Sequence, residues 1–229
     1  MTTAPTQVDP ALDPALDPGH GDYFANHQNA RRLPWSLYHQ PLERDLVRFL
    51  TTRPPRARVL VVGCGLMQEL DRAPRDLRFV VADVDARAVA AVMARGDARI
   101  ERGVVVAPDR PLSDYEGGLD GIYAKEVIEH IITWPAWLLG AYQALAPGGA
   151  LWLSTPNYGE PWLPAIEYTA LELVARRGGF TRFGLHPAKF SRRRLADGLT
   201  RAGFERVRVR PTLHRLALTA WAVRPARAA

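Results

Sequence analysis

An α/β fold, with a mostly parallel sheet covered by helices on both faces, is what three features of this sequence predict. Short apolar strand patterns alternate with helical ones from residue 58 onward. The first of those strands runs into a glycine pair, and the second ends on an acid. Two strand patterns joined by a short link close the chain, so the last strand lies antiparallel to its neighbour.

Taken in order, residues 1–22 form a tail built on Asp9-Pro10-Ala11-Leu12 and its repeats. Proline at every fourth position forbids both helix and sheet ladders, so an extended tail is expected. Residues 23–57 form an N-terminal helical lid with two helical patterns. Leu42, Leu46, Phe49 and Leu50 carry the clearer one, and Thr51-Thr52-Arg53-Pro54-Pro55 stops it. Trp35, Tyr38 and His39 serve there as lid residues or as anchors of these helices. Residues 58–229 then read as one domain. Its strands fall at 58–62, 78–82, 103–106, 121–124 and 150–154, with helices at 66–72, 86–95, 136–145 and 192–202. Pro147-Gly148-Gly149 ends the third of these helices, and strands at 204–210 and 213–223 turn about Pro211. An insertion around 158–190 interrupts the domain after the fifth strand.

The 229 residues fit one compact core with short additions. A hydrophobic share of 47% and a charged share of 24% are ordinary for a globular protein. The formal charge of +6 comes from arginine, because Lys125 and Lys189 are the only lysines. Such a surface attracts nucleic acid or anionic lipid, or reflects an arginine-rich proteome. Cys64 is the only cysteine, which excludes an intrachain disulfide and a cysteine-based zinc site. The sequence carries neither a signal-peptide pattern nor an apolar run near the roughly 20 residues that span a bilayer, so a soluble, cytoplasmic protein is expected.

Val59-Leu60-Val61-Val62-Gly63-Cys64-Gly65 joins a buried strand to a sharp turn and then a helix. Two glycines let the backbone turn tightly and approach a ligand without a Cβ in the way. Asp83 ends the next strand, where an acid accepts hydrogen bonds from both ribose hydroxyls of a nucleoside. A glycine pair alone is often only a tight turn; the strand, turn, helix and terminal acid together point to a nucleoside cofactor. Met67 and Gln68 replace the third glycine of a dinucleotide fingerprint, which argues against a pyrophosphate at this position.

The segment resembles motif I of the class I S-adenosylmethionine-dependent methyltransferases, with Rossmann-like domains. The stretch from Leu119 to His130 resembles the family's fourth strand and following turn, and the stretch from Leu145 to Asn157 leads into its fifth. The resemblance covers about residues 58–223. It implies a seven-stranded sheet with the last strand antiparallel, S-adenosylmethionine as cofactor, and Gly63, Cys64, Gly65, Asp83, Val84 and Lys125 as its binding residues. Val84 takes the position that packs on adenine. Two positions depart from the family pattern: Val61 replaces an acid that supports the methionine end, and 106–109 lacks the acid that meets the adenine amine, with Asp109 as the nearest substitute.

Glu126, Glu129 and His130 fall at i, i+3 and i+4, so one helical turn would put them on one face. His186 follows far downstream. This run is similar to the ubiquinone-pathway O-methyltransferases, which it most resembles, and to the small-RNA terminal 2′-O-methyltransferases. The second similarity implies a divalent metal such as Mg held by Glu126, Glu129, His130 and His186. The alternative makes His130 or His186 a metal-free general base, and in many relatives His130 only packs or caps the turn. Residues 161–184, with Trp162, Ile166, Tyr168, Leu171, Leu173, Phe180 and Phe183, offer an apolar acceptor pocket or an ordinary amphipathic helix. Its Glu167-Tyr168 pair matches an insertion that contributes to membrane contact in the ubiquinone group. The expected activity is O-methylation of a small aromatic, polyketide-like or quinone-precursor metabolite. RNA, peptide or amine methylation, and a catalytically silent binding protein, stay open at this stage.

Overall fold

The computed structural model describes residues 35–106, 112, 118–177 and 185–226. The proline-rich tail, the first part of the expected lid, Asp109, Phe180 and Phe183 lie outside the described residues, as does the side chain of Trp35. The described elements are, in order, α1 (Trp35–Thr51), β1 (Arg58–Val62), a 3₁₀ turn (Gln68–Asp71), β2 (Arg78–Asp83), α2 (Ala86–Met93), β3 (Ile100–Val105) and β4 (Leu119–Lys125). A second 3₁₀ turn (Ile128–His130) leads to α3 (Trp134–Ala144) and β5 (Leu145–Pro156). The insertion is α4 (Trp162–Ile166), a π turn (Glu167–Leu171) and α5 (Glu172–Arg177). After it come α6 (Arg192–Arg201), β6 (Glu205–Pro211) and β7 (Ala217–Val223).

The seven strands form one sheet in the order β3-β2-β1-β4-β5-β7-β6. β1 to β5 pair in parallel, β7 runs antiparallel to β5, and β6 runs antiparallel to β7. The expected Rossmann-like sheet is therefore present. The two-residue side-chain period divides β1 between the faces. Leu60 and Val62 pack with Leu138 and Ala141 of α3 and Leu195 and Leu199 of α6. Val59 and Val61 pack with Leu46, Phe49 and Leu50 of α1 and Ala88 and Val92 of α2. Runs buried on both sides are what parallel strands covered by helices require.

Helix α1 is fastened to the sheet by a polar contact inside this apolar face. Trp152 of β5 and Trp221 of β7 are register partners, and both indole N–H groups donate to Asp45 Oδ2, at 2.9 and 2.8 Å. Phe49 meets the Trp221 ring edge-on at 5.3 Å. The position of α1 matters because it roofs the C-terminal ends of β1 and β4.

Three segments differ from the expectations. The helix expected at 66–72 is a single 3₁₀ turn. Met67 enters it in the left-handed region (φ +43°), and distant arginines take its carbonyls: Arg95 holds Leu66 and Met67, while Arg99 holds Leu70, Ala73 and Pro74. Those oxygens need no helical partners. β5 begins at Leu145, ahead of the Pro-Gly-Gly segment, because Gly148 N–H donates to Arg224 O and Arg224 N–H to Gly149 O. Residues 213–216 form the turn before β7 instead of its first part.

Asp45→Leu would leave two indole N–H groups without an acceptor. The expected loss is about 2–3 kcal/mol, from the cost of unsatisfied buried donors. Urea unfolding followed by tryptophan fluorescence should show a lower midpoint with an unchanged slope.

Candidate functional site

The sheet reverses direction of growth between β1 and β4, and in such sheets the crevice outside the strand ends is where ligands bind. Here that crevice holds a cavity of about 190 Å³. Ser36, His39, Gln40 and Glu43 of α1 line one wall, the glycine loop from Gly63 to Gln68 another, and Arg72, Lys125 and Glu126 complete it.

Gly63 holds its turn at φ +67°, and a Cβ there would come within 2.4 Å of Val127 Cγ2. Both conditions demand glycine. Gly65 N–H donates to Asp83 Oδ2 at 2.9 Å, and Asp85 N–H donates to Asp83 Oδ1 at 3.0 Å. One carboxylate thus couples the loop to the end of β2. Val84 follows it, partly exposed, and Cys64 is buried with its thiol pushed up by burial and by Asp83. The structure places Gly63, Cys64, Gly65 and Lys125 around the cavity, with Asp83 and Val84 beside the loop.

Glu69 was not anticipated from the sequence. It is fully buried, and its carboxylate accepts from Tyr123 Oη and Lys125 Nζ, each at 2.8 Å. Burial alone would raise the carboxyl. The neighbouring ammonium and the two hydrogen bonds outweigh that and hold it below the ordinary carboxylate value.

A second cluster lies beyond the end of β4. Glu126 occupies left-handed backbone (φ +58°), a strained conformation for a non-glycine residue. Its carboxylate accepts from Tyr38 Oη at 2.6 Å and from Ser154 Oγ at 2.8 Å. Burial lifts its carboxyl, and those two bonds offset part of the rise. Tyr38 stacks on His214, whose ring accepts Leu216 N–H at Nδ1 and meets Tyr38 O through Nε2. Burial keeps His214 neutral, so its proton sits on Nε2.

Glu129, His130 and His186 come together: one ligand atom from each lies within 4.8 Å of the others. Glu129 is buried, and Oε2 has no hydrogen-bond partner among the described residues. Burial, then the charge of Glu126, pushes its carboxyl well up. His130 Nδ1 lies 3.0 Å from Leu185 O, a pure acceptor, so Nδ1 carries the proton and the lone pair is on Nε2. Around His186, Tyr158 Oη donates to Glu167 Oε2 at 2.6 Å and sits 2.6 Å from His186 Nδ1, which is also 3.1 Å from Glu167 Oε1. Burial and Glu167 hold the phenol protonated. Its single proton goes to the carboxylate, so His186 Nδ1 is the donor to this pair.

Glu126 stands apart from this trio, because Tyr38 and Ser154 claim its carboxylate. Three of the four residues that sequence resemblance assigned to a metal are brought together. Glu167 and Tyr158 were not expected as partners of His186; the nearest signal was the Glu167-Tyr168 pair in the insertion. Trp162, Ile166, Tyr168 and Leu173 of that insertion are exposed rather than gathered into a wall. No described helix is long and apolar enough to cross a membrane.

A family model described as a methyltransferase domain matches residues 31–209. A search of curated protein sequences finds no match. Solved structures share the fold. One is a possible exported protein from Bordetella parapertussis (24% identity, TM-score 0.66), covering 85% of this chain and 71% of that one. Another is the CurJ carbon methyltransferase (17% identity, TM-score 0.65), covering 88% of this chain and 58% of that one. A third is an S-adenosylmethionine-dependent methyltransferase from Aquifex aeolicus (14% identity, TM-score 0.61), covering 88% and 98%.

Gly63→Ala combines a positive φ with a 2.4 Å clash. It is expected to cost about 2–4 kcal/mol, in the range of strained backbone plus overpacking. Thermal melting and cofactor calorimetry should fall together, because the loop cannot keep its shape with a Cβ at this position.

Proposed function

This chain belongs to the methyltransferase-domain family; from that premise we propose that it uses S-adenosylmethionine to methylate a hydroxyl oxygen of a small aromatic, polyketide-like or quinone-precursor metabolite. The observation that carries this reading is His186, held at Nδ1 by Glu167 and Tyr158 and gathered with Glu129 and His130. Methyl transfer from a sulfonium is an in-line displacement. The protein's work is to orient the acceptor oxygen against the methyl carbon and to take its proton.

In this reading the glycine loop and Asp83 hold the cofactor, and His186 Nε2 removes the acceptor's proton. Glu167 fixes the tautomer and stabilises the imidazolium that forms, with Tyr158 bridging the two. The oxygen loses its proton to His186 as it bonds the methyl carbon. The carbon–sulfur bond breaks, and its electron pair stays on sulfur as S-adenosylhomocysteine. Tyr38 and Glu126 close the α1 side. CurJ is a carbon methyltransferase, so fold likeness does not choose the atom, and a base that can deprotonate a hydroxyl can also deprotonate an acidic carbon.

A second reading has Glu129, His130 and His186 binding a divalent cation. One carboxylate and two imidazoles suit first-row metals, both Nδ1 atoms carry outer partners, and Glu129 Oε2 lacks one. Such a cation would supply Lewis acidity toward an acceptor hydroxyl.

Candidate acceptors scored by S-adenosylhomocysteine formation and product mass test the first reading. His186→Ala should lower kcat by about 10²–10⁴-fold, the usual contribution of a general base, and Glu167→Gln by less. Carbon-methylated product would overturn the oxygen assignment. The metal reading predicts Mn²⁺ binding by calorimetry that strengthens as pH rises. The raised Glu129 carboxyl must lose its proton to bind, so its proton competes at lower pH. Full activity in chelator, with no Mn²⁺ binding, would leave His186 as the base alone.

A further inference from the structure

Resting on the cofactor reading above, we propose that Lys125 binds the α-carboxylate at the methionine end of S-adenosylmethionine, and that Glu69 is the positioning residue that aims and neutralises it. Strand order sets the direction. Asp83 closes β2 on one side of the glycine loop, whereas Lys125 closes β4 on the other. A nucleoside whose ribose lies on Asp83 therefore carries its amino-acid arm toward β4.

Val61 and Tyr123 are register partners on one face of β1 and β4, and Lys125, two residues past Tyr123, shares that face. Val61 brings no polar group there. Glu69 does, from the 3₁₀ turn that Arg95 and Arg99 hold in place. Its two oxygens are taken by Tyr123 and Lys125, at 2.8 Å each. Glu69 itself is sealed from solvent, yet the Lys125 side chain is 25% exposed and lines the cavity. An ammonium has three donors. Glu69 takes one, and no second hydrogen-bond acceptor meets Lys125 among the described residues. The other cation on the cavity wall, Arg72, faces Glu43 at 3.4 Å.

The pairing also answers an electrostatic problem. The cofactor carries a sulfonium, and an unpaired ammonium in the same crevice would repel it. With Glu69 attached, Lys125 offers directed N–H groups to a carboxylate while the pair as a whole is neutral. Removing Glu69 should therefore penalise the sulfonium ligand more than its thioether product, and removing Lys125 should penalise every ligand that carries the amino acid.

The experiment is calorimetric titration of the full chain with S-adenosylmethionine, S-adenosylhomocysteine and methylthioadenosine, which has the nucleoside and thioether but no amino acid. Lys125→Met should weaken the first two by about ten- to a hundredfold, the range of a lost charge-assisted hydrogen bond, and leave methylthioadenosine unchanged. Lys125→Arg should restore most of the loss. Glu69→Gln should weaken S-adenosylmethionine several-fold more than S-adenosylhomocysteine. Equal weakening of all three ligands by Lys125→Met would overturn the proposal, since the pair would then only brace the loop. No change for any ligand would overturn it too. Failure of the wild-type chain to bind any of the three would instead defeat the cofactor reading on which the proposal stands.

Discussion

A carboxylate buried against a sheet must be met by donors, neutralised by a cation or protonated, and this constraint organises the crevice end of the sheet. Glu69 is met by a lysine and a phenol and stays ionised. Glu126 is met by a phenol and a hydroxyl. Glu167 is met by a phenol and an imidazole. Glu129 is the one of these four with an oxygen that nothing described satisfies, and its carboxyl is pushed well up. Unsatisfied buried polar groups are costly enough that a native chain retains them mainly where chemistry or a ligand uses them.

The sheet explains why these groups meet. Parallel strands end together, so the residues closing β1, β2, β4 and β5 share one edge. The reversal of strand order between β1 and β4 leaves a crevice there that no crossover fills. α1 roofs it because Asp45 is tied to Trp152 and Trp221, which keeps Tyr38 within reach of Glu126. The segment carrying His186 is drawn in from the far side. Ala188 N–H donates to Glu129 O, and Tyr158 N–H donates to Phe190 O. The glycine-loop cavity and the cluster of Glu129, His130 and His186 are thus set along one sheet edge.

Much of this was legible in the sequence because it is local. The apolar run of Val59 to Val62 with its glycine turn, and the strand ending on Asp83, carry their signal in adjacent residues. What could not be read depends on partners far away in the chain. Residues 66–72 have the spacing of a helix, and Arg95 and Arg99 take its carbonyls instead. Glu69 looks like a surface acid until Tyr123 and Lys125, 54 and 56 residues later, enclose it. Glu126 shares helical spacing with Glu129 and His130. The turn there is 3₁₀ and Glu126 is left-handed, so its carboxylate turns to Tyr38 while the other two face His186.

The most direct measurement is a crystal structure of the chain with S-adenosylhomocysteine bound. The ribose hydroxyls should lie on Asp83, the amino-acid arm against Lys125, and the sulfur toward the cluster of Glu129, His130 and His186. A nucleoside lying elsewhere, or a sulfur turned away from His186, would contradict the assignment of this edge as the place where the methyl group is transferred.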